Sequence, residues 1–118
     1  MMAAFELVPT PAELVLAQPV KLSELAVKAL SRMATVNDPN AALAFAILRQ
    51  AVIDLGFQRR SEQRGKPYLD SGGVQITNPP DRWLYEGGRT VCDYLDLEHE
   101  CVCEMLCQCG LLKPGRGQ

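Results

Sequence analysis

Asp38-Pro39-Asn40-Ala41-Ala42-Leu43-Ala44-Phe45-Ala46-Ile47-Leu48-Arg49-Gln50-Ala51-Val52-Ile53-Asp54-Leu55-Gly56 is the stretch that decides how this chain folds. Asn37 or Asp38 can accept hydrogen bonds from the first free amides of a helix, Pro39 suits its first turn, and Gly56 is a natural stop. Between them, residues 41–48 are apolar at every position. On a helix of 3.6 residues per turn, Phe45, Leu48, Val52 and Leu55 share one stripe, and Leu43, Ile47 and Ile53 extend it around the cylinder. A helix that is apolar all round is normally enclosed by other elements. The pattern therefore predicts a central core helix that ends at Gly56.

Outward from this helix, the N-terminal side shows a second helical stretch over 23–33. Leu22, Leu25, Ala26, Ala29 and Leu30 recur there at three- and four-residue spacing, which predicts one buried stripe. Residues 1–20 form an N-terminal arm or a short helix over 11–17, signalled by Thr10-Pro11-Ala12-Glu13. On the C-terminal side, 58–80 reads as a basic loop with little helical pattern. The Ser71-Gly72-Gly73 turn within it suits either a short β-hairpin over 68–77 or a mobile loop. Over 81–110 a C-terminal helical hairpin is expected. It opens with a short helix capped by Asp81 and closed by Gly87-Gly88, and continues as helices over 89–95 and 98–109, the last stopped by Gly110. Residues 114–117 read as a frayed tail.

With 118 residues, 47% apolar and 22% charged, the chain fits one mainly α domain, a small helical bundle spanning 1–118. Its net charge of −2 provides no global attraction to nucleic acid, so such binding needs a local patch. Residues 1–20 carry Glu6 and Glu13 and no Lys or Arg, unlike a secretory signal. No apolar run approaches the roughly 20 residues that span a bilayer. A cytoplasmic protein without a membrane partner is expected, its five cysteines reduced or metal-bound.

Cys92, Asp96 and Val102 fall at the spacings of a helix-turn-helix: a small residue in the first helix, a tight turn four positions on, and an apolar anchor six further. Val91, Leu95, Leu97 and Met105 supply flanking apolar positions. The turn favours glycine because its backbone is left-handed, and Asp96 tolerates that less well. Charge weighs against DNA reading. Asp93, Asp96, Glu98, Glu100 and Glu104 occur with no Lys or Arg among them, and phosphates repel such a helix. These five acids are either a solvated surface or a contact for a basic protein surface, such as a nucleic-acid-binding groove. Arg59, Arg60, Arg64 and Lys66 form an opposite patch, a second contact or a nucleic-acid site, with Arg49 nearby.

His99, Cys101, Cys103, Cys107 and Cys109 invite a zinc reading, but zinc ribbons use paired C-x-x-C knuckles on turns. Along a helix Cys103 and Cys107 share a face while Cys101 lies on another. No metal or other cofactor is expected. A single histidine, no nucleophile–base motif and no phosphate-binding glycine loop point away from an enzyme.

Three segments carry a resemblance: Leu48-Arg49-Gln50-Ala51-Val52-Ile53-Asp54-Leu55, then Trp83-Leu84, then Val91-Cys92-Asp93-Tyr94-Leu95-Asp96-Leu97. Together they resemble small accessory proteins of bacteriophages and other mobile elements with a helix-turn-helix-like C-terminal hairpin, over about half of the chain. The chain departs from that pattern at Asp96 for glycine, at Glu98-His99 for aspartate-proline, and at Cys103 for a frequent arginine. The resemblance implies a mobile-element origin more than an activity. With the acidic hairpin as its contact surface, the chain is expected to be an accessory protein that binds a host or phage protein and modulates it by inhibition, as host-takeover proteins and anti-CRISPR inhibitors do. A helix-turn-helix DNA-binding regulator and a zinc-stabilised adaptor are the alternatives.

Overall fold

The structure is a computed structural model, and it describes residues 19–69, 72–73 and 78–113. Among them are five helices and no strand: α1 (Pro19–Met33), α2 (Pro39–Gln63), α3 (Pro80–Glu86), α4 (Gly88–Tyr94) and α5 (His99–Gln108). The chain is mainly helical, as its patterning predicts. The helix expected over 11–17 and the tail over 114–117 lie outside the described residues, as does most of the hairpin expected over 68–77.

α2 begins as its sequence dictates. Asp38 Oδ1 accepts the Ala41 amide at 2.7 Å, and Pro39 occupies the first turn, where no amide proton is needed. The end differs from expectation: α2 passes through Gly56 and continues to Gln63. Gly56 is there for close packing. A Cβ on it would lie 2.7 Å from Ser23 Oγ, 2.9 Å from Ser23 Cβ and 3.0 Å from the Pro19 carbonyl oxygen. A glycine that lets two helices touch looks, in sequence, like one that stops a helix.

The same contact explains why the face of α1 is rotated from its predicted stripe. Its buried residues are Pro19, Ser23, Ala26 and Leu30, while Leu25 is half exposed. Ser23 can be buried because it is small and because its hydroxyl donates to the Val20 carbonyl at 2.7 Å. α1 also starts four residues earlier than the apolar pattern suggests, at Pro19.

α2 is apolar all round yet buried on one side. Ala41, Ala44, Leu48, Val52, Leu55 and Arg59 form the inward stripe, whereas Leu43 and Ile47 are 63% and 43% exposed. By length and composition α2 could cross a membrane, with a mean hydropathy of 1.3 over its most apolar window, although no apolar run in the sequence suggested it. A third of that window is buried inside the protein.

Two polar side chains near the end of α2 hold α3. Gln58 Oε1 accepts the Asp81 amide at 3.3 Å, and Arg59 Nη2 donates to Asp81 Oδ2 at 2.9 Å. Arg59 is 6% exposed; its Nη1 lies 3.1 Å from Glu62 Oε1, close enough for charge attraction but not aligned as a hydrogen bond. Asp81 therefore acts as a clamp within the first turn of α3 and not as the expected cap, a position taken by Pro79. Gly88 opens α4 instead of extending the turn. Beyond α5 the chain folds back: Leu111 and Leu112 are buried with Leu84, Cys92, Leu95, Val102 and Leu106.

Replacing Gly56 with alanine should lower stability by about 1–3 kcal/mol, because overpacking against Ser23 and Pro19 outweighs alanine's better helix propensity of about 1 kcal/mol. Urea denaturation of G56A measures it, and an unchanged or raised midpoint refutes the close-packing reading.

Candidate functional site: the acidic α4–α5 hairpin

α4 ends at Tyr94 and α5 begins at His99, with Glu98 as an uncapped N-terminal residue. Between them the backbone turns sharply. The Asp96 amide donates to the Asp93 carbonyl and the Leu97 amide to the Cys92 carbonyl, at 3.2 and 2.9 Å. This pairing is the Schellman closure, which requires a left-handed residue, and Asp96 has φ of 57°. Leu95 and Leu97, on either side, are buried, and the Leu95 carbonyl accepts the Thr35 amide at 3.0 Å. The turn is thereby tied to the α1–α2 connection.

Most apolar positions of this segment point inward: Val91, Cys92, Leu95, Leu97, Val102 and Leu106 are buried, while Tyr94 and Cys101 are exposed. The carboxylates lie outside, along with Arg89 near the start of α4. Asp93, Asp96, Glu98, Glu100 and Glu104 are all exposed, and none forms an ion pair among the described residues. Their field shows on Cys101, an exposed thiol 3.7 Å from Glu98 Oε2. The Glu98 charge, helped by Glu104 and Glu100, pushes the Cys101 pKa above its ordinary value.

The basic residues predicted as a second contact are split. Arg59 is withdrawn into the clamp on Asp81 and lies within α2. Arg64 and Lys66 are exposed at the end of that helix, and Arg60 stacks over the Phe57 ring at 5.0 Å. The loop expected from residue 58 thus begins only after Gln63.

Cys103 is brought to 3.5 Å from His99, and no group of three ligand-type side chains able to hold a metal occurs among the described residues. His99 Nε2 lies 2.6 Å from the Leu84 carbonyl oxygen. A carbonyl only accepts, so this nitrogen carries a proton and donates it. Cys103 Sγ, 3.5 Å from the same nitrogen, therefore has no base in it. Burial, with Cys92 and Cys107 nearby, pushes the Cys103 thiol up to about 11. Burial and Asp93 push Cys92 up to about 11 as well. Both are inert thiols at neutral pH. His99 links α5 to the last turn of α3.

Sequence reasoning missed a groove between α2 and α3, about 260 Å³ in volume and lined by Ile47, Gln50, Ala51, Asp54, Tyr68, Asn78, Pro80 and Trp83. Its aromatic residues come from segments far apart in sequence. The only hint was polar Gln50 and Asp54 four apart in an apolar helix.

Two outcomes are expected. D96G should raise stability by about 0.5–1 kcal/mol by removing left-handed strain, read as an increased urea midpoint. Thiol titration with a disulfide reagent at pH 8 should modify Cys101 in the native protein and leave Cys92 and Cys103 unmodified until it unfolds. Because both buried thiols hold their protons more tightly when folded, their contribution to stability is intact below pH 9 and is lost as pH rises toward 11. Early modification of Cys103 in mapped peptides, or a pH-independent midpoint between 8 and 11, contradicts this.

Neither protein-family models, nor curated proteins, nor solved structures provide a match to this chain.

Proposed function

We propose that this chain is a non-enzymatic accessory protein of the phage or mobile-element type that seats its acidic α4–α5 hairpin on a basic surface of a host or phage protein and inhibits it. The observation that carries the proposal is the bare state of Asp93, Asp96, Glu98, Glu100 and Glu104, all solvent-facing and in no ion pair among the described residues, Arg89 of α4 included. Asp96 adds weight. It holds a left-handed turn that glycine would adopt without strain, at a cost of about 1 kcal/mol, and it puts a carboxylate at the tip of the hairpin. Strain kept where function benefits is a recognised pattern.

A DNA-binding reading has one observation in its favour: Cys92 and Val102 are buried on either side of a left-handed Asp96, as a helix-turn-helix requires. The charge opposes it. A reading helix flanked by phosphates would set Glu98, Glu100 and Glu104 against them and release no counterions in exchange.

Reversing Glu98, Glu100 and Glu104 to lysine should weaken capture of the partner from host extract at least about tenfold, with the circular dichroism spectrum unchanged. Undiminished capture rejects the acidic surface. Binding of the unaltered chain to duplex DNA, weakening steeply with salt in gel-shift titrations, transfers the function to the DNA reading.

A further inference from the structure

The α2–α3 groove combines features that select one kind of guest. Its α2 wall carries Ile47, Gln50 and Asp54, and Tyr68, Pro80 and Trp83 face them. Asp54 is the one charged residue of the lining among the described residues. Its carboxylate accepts a hydrogen bond from Gln50 Nε2 at 2.9 Å and has no ion pair among the described residues. It sits half-buried beside an aromatic ring: the Tyr68 hydroxyl is held above its usual pKa first by burial and then by the Asp54 charge.

We propose that this groove is a recognition pocket for one arginine side chain of a partner peptide, with the guanidinium on Asp54 and an aromatic face, and the alkyl stem along Ile47 and Pro80. Each alternative guest fits less well. An anion is repelled by Asp54, and a purely apolar side chain would strip water from that carboxylate without replacing its hydrogen bonds. A volume of about 260 Å³ falls below the range of about 300–1,000 Å³ usual for small-molecule sites and suits a single long side chain. Arginine is favoured over lysine because its planar, weakly hydrated head can stack on a ring and pair with a carboxylate through two parallel bonds.

None of the lining residues of this site belongs to the acidic hairpin. Trp83 is the chain's single tryptophan, so its fluorescence reports on the groove directly. The full chain is titrated with N-acetyl-Gly-Arg-Gly-amide and with the same peptides carrying citrulline, a neutral near-isostere, or lysine. The arginine peptide should change the emission saturably in the millimolar range, with citrulline at least about tenfold weaker and lysine measurably weaker. D54N, which keeps the shape and the Gln50 contact, should weaken the arginine peptide about tenfold with an unchanged circular dichroism spectrum. The Glu98, Glu100 and Glu104 reversal should leave the response intact, so the groove and the hairpin stand or fall separately. Absence of a response, equal binding of citrulline or lysine, or an unaffected D54N variant overturns the proposal.

Discussion

The architecture depends on one buried guanidinium. Arg59 leaves solvent near the end of α2 and reaches Asp81 across the interface, and Gln58 beside it takes the Asp81 amide. These bonds set where α3 begins. α3 in turn offers the Leu84 carbonyl to His99, which positions α5, and Leu84 itself is buried against the same core as Val102 and Leu106. A buried charge that loses one partner costs about 3–5 kcal/mol, comparable to a large part of the total stability of a small domain. The register of the acidic hairpin is therefore inherited, through two polar contacts, from a residue on a different helix.

Three helices end in the same way. α2 closes on Gly65, α4 on Asp96 and α5 on Gly110, each with φ between 57° and 82° and each with paired amides reaching back into the last turn. Two of the three positions hold the residue that adopts this conformation without strain. The third holds an aspartate on the most acidic surface of the chain. Packing gives no reason for a carboxylate there, since Asp96 is exposed, whereas Leu95 and Leu97 do the anchoring. A short polar side chain such as aspartate tolerates this conformation better than most residues, at a modest cost relative to glycine.

How much of this is legible in the residues depends on whether a residue type has one physical use or several. Asp38 before Pro39 has one, and the start of α2 follows from it. Charged side chains without a nearby opposite charge in sequence stay in solvent, so the exposure of Glu98, Glu100 and Glu104 could be read directly. Gly56 has two uses, stopping a helix and admitting a neighbour, and only Ser23, more than thirty positions away, decides between them. Arg59 and Asp81 each look like surface residues alone and become a partly buried pair together. The groove is the extreme case: Asp54, Tyr68 and Trp83 converge from three segments, and no local pattern anticipates it.

The distribution of ion pairs links the two candidate contacts. Arg59 is taken by Asp81 and Glu62, Lys113 by Glu62, Arg82 by Glu86 and Lys21 by Glu24. None of these cations reaches the hairpin or Asp54. The net charge of −2 accordingly understates the local fields: carboxylates are concentrated on α4–α5 while Arg60, Arg64 and Lys66 lie at the end of α2. At physiological ionic strength an exposed field fades within about 8 Å, so this separation does little at long range. Under the proposed reading it would act only at contact, where a basic surface would gain from the hairpin and a phosphate backbone would be repelled by it. Contact specificity, more than attraction from afar, is what this arrangement of charge can supply.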